Sequence, residues 1–433
     1  MKQFKPLRAI PQQSGWTHKD VMVVFGELFS RGYANGIVEE AKKTGMKIIY
    51  STVGRRDENQ DLRALTTEEL QEKDQPLINV PLEAGFDLQK DANGNTPVDA
   101  LKGVKMSQWQ EVQFDWKSIE QTRDMASKNF RLRVKEYLQQ LEQYLTDDAN
   151  IIFVHTMAGG FPRAKLVMPI TNKVFKGYDD RFSSSQEFWE SPLGQFCAMN
   201  FQEVTGESFF HLIDLTQEIR ERVTKAGRKV SYVAYGYHGT EILIGDKYQW
   251  QSYSPYLQGW AKLRLENIAI EAKEKNISAC VFNCPEILTN SSSIFLGVEV
   301  SLYPLLGALK KEGLSTPQAQ EILSECQSLL KEGHSIDDIL AFCTKYMTSN
   351  IIKKWSNFAE WPQHNGNEQM KLMRESSAEL IQLHKDAKNL ITARLSEVVF
   401  KACGRLIFNE AWNIQSPVWW LGHDIIAKQT IKI

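Results

Sequence analysis

Val21-Met22-Val23-Val24-Phe25 is an unbroken apolar run of strand length that stops at Gly26. A strand that is apolar at every position, rather than at alternate ones, is buried on both faces. After it, Gly26-Glu27-Leu28-Phe29-Ser30-Arg31-Gly32-Tyr33-Ala34-Asn35-Gly36 is punctuated by glycine, Ile37 to Lys43 has helical spacing, and Gly45 is a natural stop. Lys47 to Val53 reads as a second buried strand that runs into Gly54-Arg55-Arg56-Asp57. Strand, helix and strand within about 30 residues make a βαβ unit, with parallel strands and a right-handed crossover.

The alternation continues along the chain. Leu77 to Val80 is a third strand, and the stripe Phe130, Val134, Tyr137, Leu138, Leu141 and Leu145 marks a long helix between Ile119 and Leu145. Asn150 to Val154, Lys229 to Tyr235 and Ser278 to Phe282 read as further strands, separated by helical stretches at Phe188 to Leu215 and Leu257 to Glu274. This pattern predicts an α/β fold with a doubly wound parallel sheet of the Rossmann-like kind. Beyond it come helices at Ser301 to Glu312, from Thr316-Pro317 onward, at Ser335 to Tyr346 and at Asn367 to Phe400. Residues 1–330 are therefore expected to form the nucleotide-binding and catalytic domain, and 331–433 an added helical C-terminal region.

Composition narrows the function. The 433 residues carry 51 Lys and Arg against 53 Asp and Glu, a net charge of −2. A nucleic-acid binder would show a basic surplus. No apolar run of about 18 residues is present to span a membrane. Met1 to Trp16 lacks the apolar core of a signal peptide. Six scattered cysteines without a CxxC pair, and histidines without HExxH spacing, point to reduced thiols, a cytoplasmic setting and no metal.

The glycine-punctuated segment sits where a dinucleotide turn belongs. Its glycines would bring backbone close to a pyrophosphate at the following helix N-terminus. Arg55 and Arg56 end the second strand, near the expected adenosine ribose. An acidic residue there suits the 2′-hydroxyl of NADH, whereas two guanidiniums suit the 2′-phosphate of NADPH. NADPH is the expected cofactor on this reading, with NADH less favoured. The other reading is a surface pair neutralised by Asp57 or Glu58.

Tyr253-Ser254-Pro255-Tyr256-Leu257-Gln258-Gly259-Trp260-Ala261-Lys262 follows the fifth strand and enters a helix. Delivering hydride to a carbonyl or a conjugated thioester requires a group that stabilises the developing oxyanion or enolate. A tyrosine hydroxyl can hold that oxygen, and a lysine cation lowers the phenol pKa and can bind ribose. Eight residues separate Tyr253 from Lys262. That spacing resembles the active-site segment of the single-chain enoyl-thioester reductases, which comprise trans-2-enoyl-CoA reductases and one class of enoyl-[acyl-carrier-protein] reductase. Ala234-Tyr235-Gly236-Tyr237-His238-Gly239 is similar to that family's tyrosine-rich strand end. Leu288 to Ile294 resembles its Thr- and Ser-rich turn, and Thr156-Met157-Ala158 falls where it lines the cofactor cleft.

The resemblance implies a cytoplasmic reductase of the C2–C3 double bond of an enoyl thioester, carried on coenzyme A or on a carrier protein. It implies Tyr253, Lys262 and Tyr237 as catalytic residues. Gly26, Ser30, Arg31, Gly32, Tyr33, Arg55, Arg56, Ala158, Lys262 and Thr289 would bind the cofactor. A carbonyl or 3-ketoacyl reductase, or a non-catalytic NADP-binding scaffold, are the alternative readings. Tyr256 is the lesser phenol. Arg163 and Lys165 read as a solvated pair, His238 as a satisfied structural histidine, and Trp419 and Trp420 as core anchors.

Overall fold

Seven parallel strands carry the fold of the computed structural model, which describes residues 4–177, 185–251, 257–290, 292, 296–355, 357–360 and 363–432. They are β1 (Val21–Phe25), β2 (Lys47–Thr52), β3 (Leu77–Pro81), β4 (Ile151–His155), β5 (Val230–Gly236), β6 (Ala279–Asn283) and β7 (Val418–Trp420). Their order is β7-β6-β5-β4-β1-β2-β3, with parallel pairing throughout. The chain leaves β1 in one direction to β2 and in the other to β4. The crevice at the carboxyl ends of those strands is where such sheets bind ligands.

Each central strand divides its side chains between two cores, as an uninterrupted apolar run requires. Met22 and Val24 join Ile152, Val154, Val233 and Phe282 on one face. Val21, Val23 and Phe25 join Ile151, Phe153, Tyr232 and Val281 on the other. The first face is covered by α1 (Ala34–Thr44) and the second by α2 (Trp116–Leu141). Gly45 ends α1 in the left-handed conformation, at φ 73°. The helix α3 (Leu257–Glu274) lies between β5 and β6 in the chain and also packs on the second face through Leu265, Ile268 and Ala269.

Three differences from the sequence reading have local causes. The stretch Asn367 to Phe400 is two helices, Asn367–Gln382 and α4 (Ile391–Glu410). Between them the backbone is diverted by exchanges of Lys331 with Leu383 and of Lys385 with Leu329, and Asp386 folds back to accept from the Lys388 amide. The predicted helix at Ser301 is divided into Val298–Leu302 and Pro304–Gly313, with Pro304 opening the second piece. An antiparallel hairpin, Thr240–Ile244 with Lys247–Gln251, stands between β5 and α3 where the sequence reading has only a loop.

The C-terminal residues are built into the sheet. Trp419 and Trp420 lie on β7, which extends the edge beside β6. The N-terminal segment adds to the same edge, with the Leu7 amide donating to the Trp420 carbonyl at 2.9 Å and the Trp420 amide to that of Lys5 at 3.3 Å. Trp16 Nε1 donates to the Phe408 carbonyl on α4. All six cysteines are buried, and none of them forms a disulfide. Among the described residues, no helix is long and apolar enough to cross a membrane.

Helices α1 and α4 meet without intervening side chains. A Cβ on Gly36 would fall 2.1 Å from the Phe400 carbonyl oxygen, and one on Gly404 would fall 2.2 Å from the Gly36 carbonyl carbon. Backbone meets backbone here, so no side chain can rotate away to make room. Gly404→Ala is expected to destabilise the fold by about 1–3 kcal/mol, visible as a lowered Tm, and to weaken nucleotide binding because α1 carries the turn at its N-terminus. An unchanged melting curve would show that the crossing can spread without cost.

Candidate active site

The turn after β1 is shaped from both sides. Gly26 has φ +112°, and a Cβ there would meet Met157 Cγ and Thr156 Oγ1 at 2.7 Å, so glycine is required for β1 and β4 to end side by side. Ser51 on β2 locks the turn, accepting from the Gly26 amide at 2.8 Å and donating to the Val24 carbonyl at 2.8 Å. A Cβ on Gly32 would have no neighbour within 4 Å, so the backbone there is open to a ligand. Gly36 lets α1 pack. One glycine for the turn, one for approach and one for helix packing are the three needs of a dinucleotide loop. No side chain caps the N-terminus of α1; the Asn35 and Gly36 amides bond the Gly32 and Tyr33 carbonyls, and the positive end of the helix dipole is what the turn offers an anion.

A cleft of about 370 Å³ opens at this point, between the carboxyl ends of β1, β4 and β5 and the segment after β6. Arg31, Gly32, Tyr33, Ala158, Tyr237, Lys262 and Thr289 from the sequence reading all line it. Gly26 stands directly behind it. Ser30 is exposed and outside the lining. Tyr253, together with Tyr256, lies outside the described residues. The open backbone at Gly32, the uncapped helix and the Arg31 guanidinium fit the pyrophosphate of a nicotinamide dinucleotide.

Arg55 and Arg56 do not line the described cleft. Arg55 makes a two-pronged pair with Glu27, both N–O distances being 2.9 Å, and Lys73 adds a third bond to the same carboxylate at 2.7 Å. Burial would raise the Glu27 pKa, but the hydrogen bonds from Arg55 and Lys73 outweigh it and bring it down to about 2. Arg56 is held by Glu83 and by the Gln60 carbonyl. The cations foreseen at the end of β2 are thus held by Glu27 and Glu83, and of these four residues Glu27 is the one that lines the cleft. Arg163 is exposed, as the sequence reading has it, and is also paired with acids. It bonds Asp87 through Nε at 2.9 Å and Nη2 at 2.7 Å, and also pairs with Glu83.

The floor of the cleft is a set of polar groups on buried backbone. Lys262 projects from α3 and donates to the Tyr235 carbonyl at 2.5 Å. Burial pushes its pKa down from the ordinary lysine value to about 8, so it is a cation at neutral pH. His155, at the end of β4, is pushed down to about 3 by burial and by the Lys262 charge, and its Nε2 meets Ser208 Oγ at 2.8 Å. Tyr33 donates to the Pro285 carbonyl and stacks on Tyr235 at 5.9 Å between centroids. Tyr237 donates to Glu286 Oε1 at 2.8 Å, while Ser301 donates to Glu286 Oε2 at 2.6 Å. His238 is buried and structural, with Nδ1 3.1 Å from Glu266 and its amide bonded to Asn283.

Glu27, His155 and Glu286 are site residues that the sequence reading does not single out. Glu286 follows β6 by three residues, and its place at a strand carboxyl end is the available signal. Glu27 carries no such signal, because an acid inside a phosphate turn reads as unfavourable until its partners are known.

A parallel sheet with this strand order, a glycine turn at the switch point and a buried lysine beside two tyrosines defines a nicotinamide-dinucleotide-dependent oxidoreductase. The family model described as enoyl-acyl carrier protein reductase FabMG matches residues 3–430, and the chain belongs to that family. The chain is similar to the apo structure of FabMG, a novel type of enoyl-acyl carrier protein reductase. Identity to it is 47% and the TM-score 0.96, over 99% of this chain and 98% of that one. It is also similar to an NADH-bound structure of FabMG, at 42% identity and a TM-score of 0.79, over 99% of each. None of the curated proteins matches. The chain is an enoyl-thioester reductase, acting on a carbon–carbon double bond.

The Glu27 pair gives this site a pH signature. Its carboxyl is held below the unfolded value of 4.5, so its contribution to stability is present above pH 4.5 and is lost as the pH falls through about 2. Glu27→Gln, which strands Arg55 and Lys73, is expected to cost about 3 kcal/mol near neutrality. Denaturation curves of the two proteins should converge as the pH falls toward 2. A constant gap across that range would show that Glu27 acts through shape, not charge.

Proposed function

We propose that the chain reduces the C2–C3 double bond of an enoyl group carried on acyl carrier protein, that it uses NADH, and that Tyr253, Tyr237 and Lys262 perform the chemistry. The observation that carries this reading is the convergence of Lys262 and Tyr237 on the cleft at the switch point of the sheet. The carrier-protein form of the substrate is taken from the family, which supports it over coenzyme A.

NADH is preferred to NADPH on electrostatic grounds. A 2′-phosphate needs free guanidiniums, and Arg55 and Arg56 are both held by carboxylates. Glu27 lines the cleft in the place of the acid that suits ribose hydroxyls, and it draws Arg55 and Lys73 to itself, away from a phosphate. The NADH-bound FabMG relative supports the same choice.

Bound in the cleft, the dihydronicotinamide supplies a hydride to C3 of the enoyl group. Arg31, the open backbone at Gly32 and the N-terminus of α1 hold the pyrophosphate. Lys262 is fixed by the Tyr235 carbonyl, which leaves its remaining N–H groups for ribose and for a phenol oxygen. Tyr253, placed by its eight-residue spacing from Lys262 and by the short-chain-dehydrogenase-like character of that spacing, holds the thioester oxygen as charge develops on it. Neutral His155 adds no second positive charge beside Lys262.

Fluorescence titration should show tighter binding of NADH than of NADPH, and Arg55→Ala should leave NADPH affinity within about twofold of wild type, where a guanidinium that held the 2′-phosphate would make it fall. Tyr253→Phe is expected to lower turnover of an enoyl-carrier thioester about 100-fold or more with NADH affinity near wild type. Lys262→Met should lower both. In wild type, NADH affinity should fall as the pH rises through about 8, where Lys262 loses its charge, and Lys262→Met should abolish that fall. Turnover of 3-ketoacyl but not enoyl thioesters would transfer the reading to carbonyl reduction.

A further inference from the structure

Adding hydride to C3 leaves an enolate whose C2 must still acquire a proton, and neither Lys262 nor a phenol that is holding the thioester oxygen accounts for it. Tyr237 lines the cleft and its hydroxyl lies 2.8 Å from Glu286 Oε1. We infer that Tyr237 and Glu286 form a proton relay, in which Glu286 rests as a carboxylic acid and re-protonates Tyr237 after that tyrosine has delivered its proton to C2. The inference rests on the reading that Tyr237 faces the substrate.

Geometry supports it in three ways. Glu286 is buried at 8% exposure and lines the cleft, so it is a carboxyl at the reacting end with little access to bulk water. Its two oxygens have hydroxyl partners, Tyr237 and Ser301, where Glu27 and Glu83 have guanidiniums. Glu299, two residues before Ser301 and also buried, is the further charge that bears on it, and Tyr346 faces it from the helix Ile336–Met347. Burial pushes the Glu286 pKa up against the opposing bonds from Ser301 and Tyr237, and Glu299 pushes it further. That setting favours the neutral carboxyl, as paired environments set acid and base roles elsewhere.

The protonated form also resolves a hydrogen-bond conflict. A phenol has one proton, and while it is given to a carboxylate it cannot be given to substrate. When Glu286 carries the proton, its O–H donates to the Tyr237 oxygen and the tyrosine proton is released for the substrate side. With hydride at C3, the Tyr237 O–H bond breaks as the C2–H bond forms. The phenolate then takes the Glu286 proton, and the carboxylate recovers one from water once product has left. Each double bond consumes one hydride and one solvent proton.

The test uses the full-length wild type, Tyr237→Phe, Glu286→Gln and the double variant, with NADH and a crotonyl thioester. Glu286→Gln should lower turnover about 100-fold with the NADH dissociation constant within about twofold of wild type. The double variant should be no slower than the slower single one, as for two members of one path. Infrared difference spectra of the cofactor-free proteins at pH 7 should show a protonated carboxyl band that Glu286→Gln removes. Wild-type turnover in Glu286→Gln beside an impaired Tyr237→Phe would overturn the relay alone, and wild-type turnover in Tyr237→Phe would overturn the reading beneath it. Should Glu286→Gln not fold, the wild-type spectrum decides. An acid band that shifts on adding NAD⁺ supports the relay, and a band indifferent to NAD⁺, or none, overturns it.

Discussion

Two helices that touch through bare backbone hold this active site together. Gly36 on α1 and Gly404 on α4 let the chains approach to a distance at which even one methyl group would collide with a carbonyl. The dinucleotide turn is the loop that α1 pulls into place, so the position of its amides depends on a helix more than 350 residues away in sequence. A surface insertion can be longer or shorter without disturbing chemistry. This contact cannot, because there is no side chain whose rotation would absorb a shift.

Around that crossing, buried carboxyls are differentiated by their neighbours. Glu27 and Glu286 both reach the cleft, and both are removed from water. Glu27 sits among Arg55, Lys73 and Thr52 and is a fixed anion. Glu286 sits among hydroxyls and is pushed the opposite way. Burial favours the neutral form in each case, and only cations at hydrogen-bond distance reverse it. A fixed charge at one end of the cleft and a carboxyl biased toward its neutral form at the other follow from the same physics with different partners.

The core of the fold is legible in the sequence because its long central strands are buried on both faces and so appear as uninterrupted apolar runs, of which Val21 to Phe25 and Ser278 to Phe282 are plain cases. What stays hidden is short or non-local. β7 has three residues, too few for any period, and it pairs only because the chain returns to the edge of β6. The two-helix division around His384 is set by backbone exchanges with Leu329 and Lys331, which no window of sequence contains. The site is half legible. Glycines, Tyr237, Lys262 and Thr289 announce themselves by type and position after strands. Arg55 and Arg56 are visible as cations, but their partners Glu27 and Glu83 lie 28 and 27 residues away and are found only in space.

The shared edge formed by Leu7, Lys5 and Trp420 has a consequence for biogenesis. A ribosome makes the glycine loop long before Gly404 and Trp420. Until they appear, the nascent β6 has an uncovered flank and the first crossover helix has no backbone to rest upon. The nucleotide cradle can close only once those later residues are available, and its apolar strands are exposed in the interval. Pairing between elements so distant in sequence is slow and leaves that surface open to aggregation.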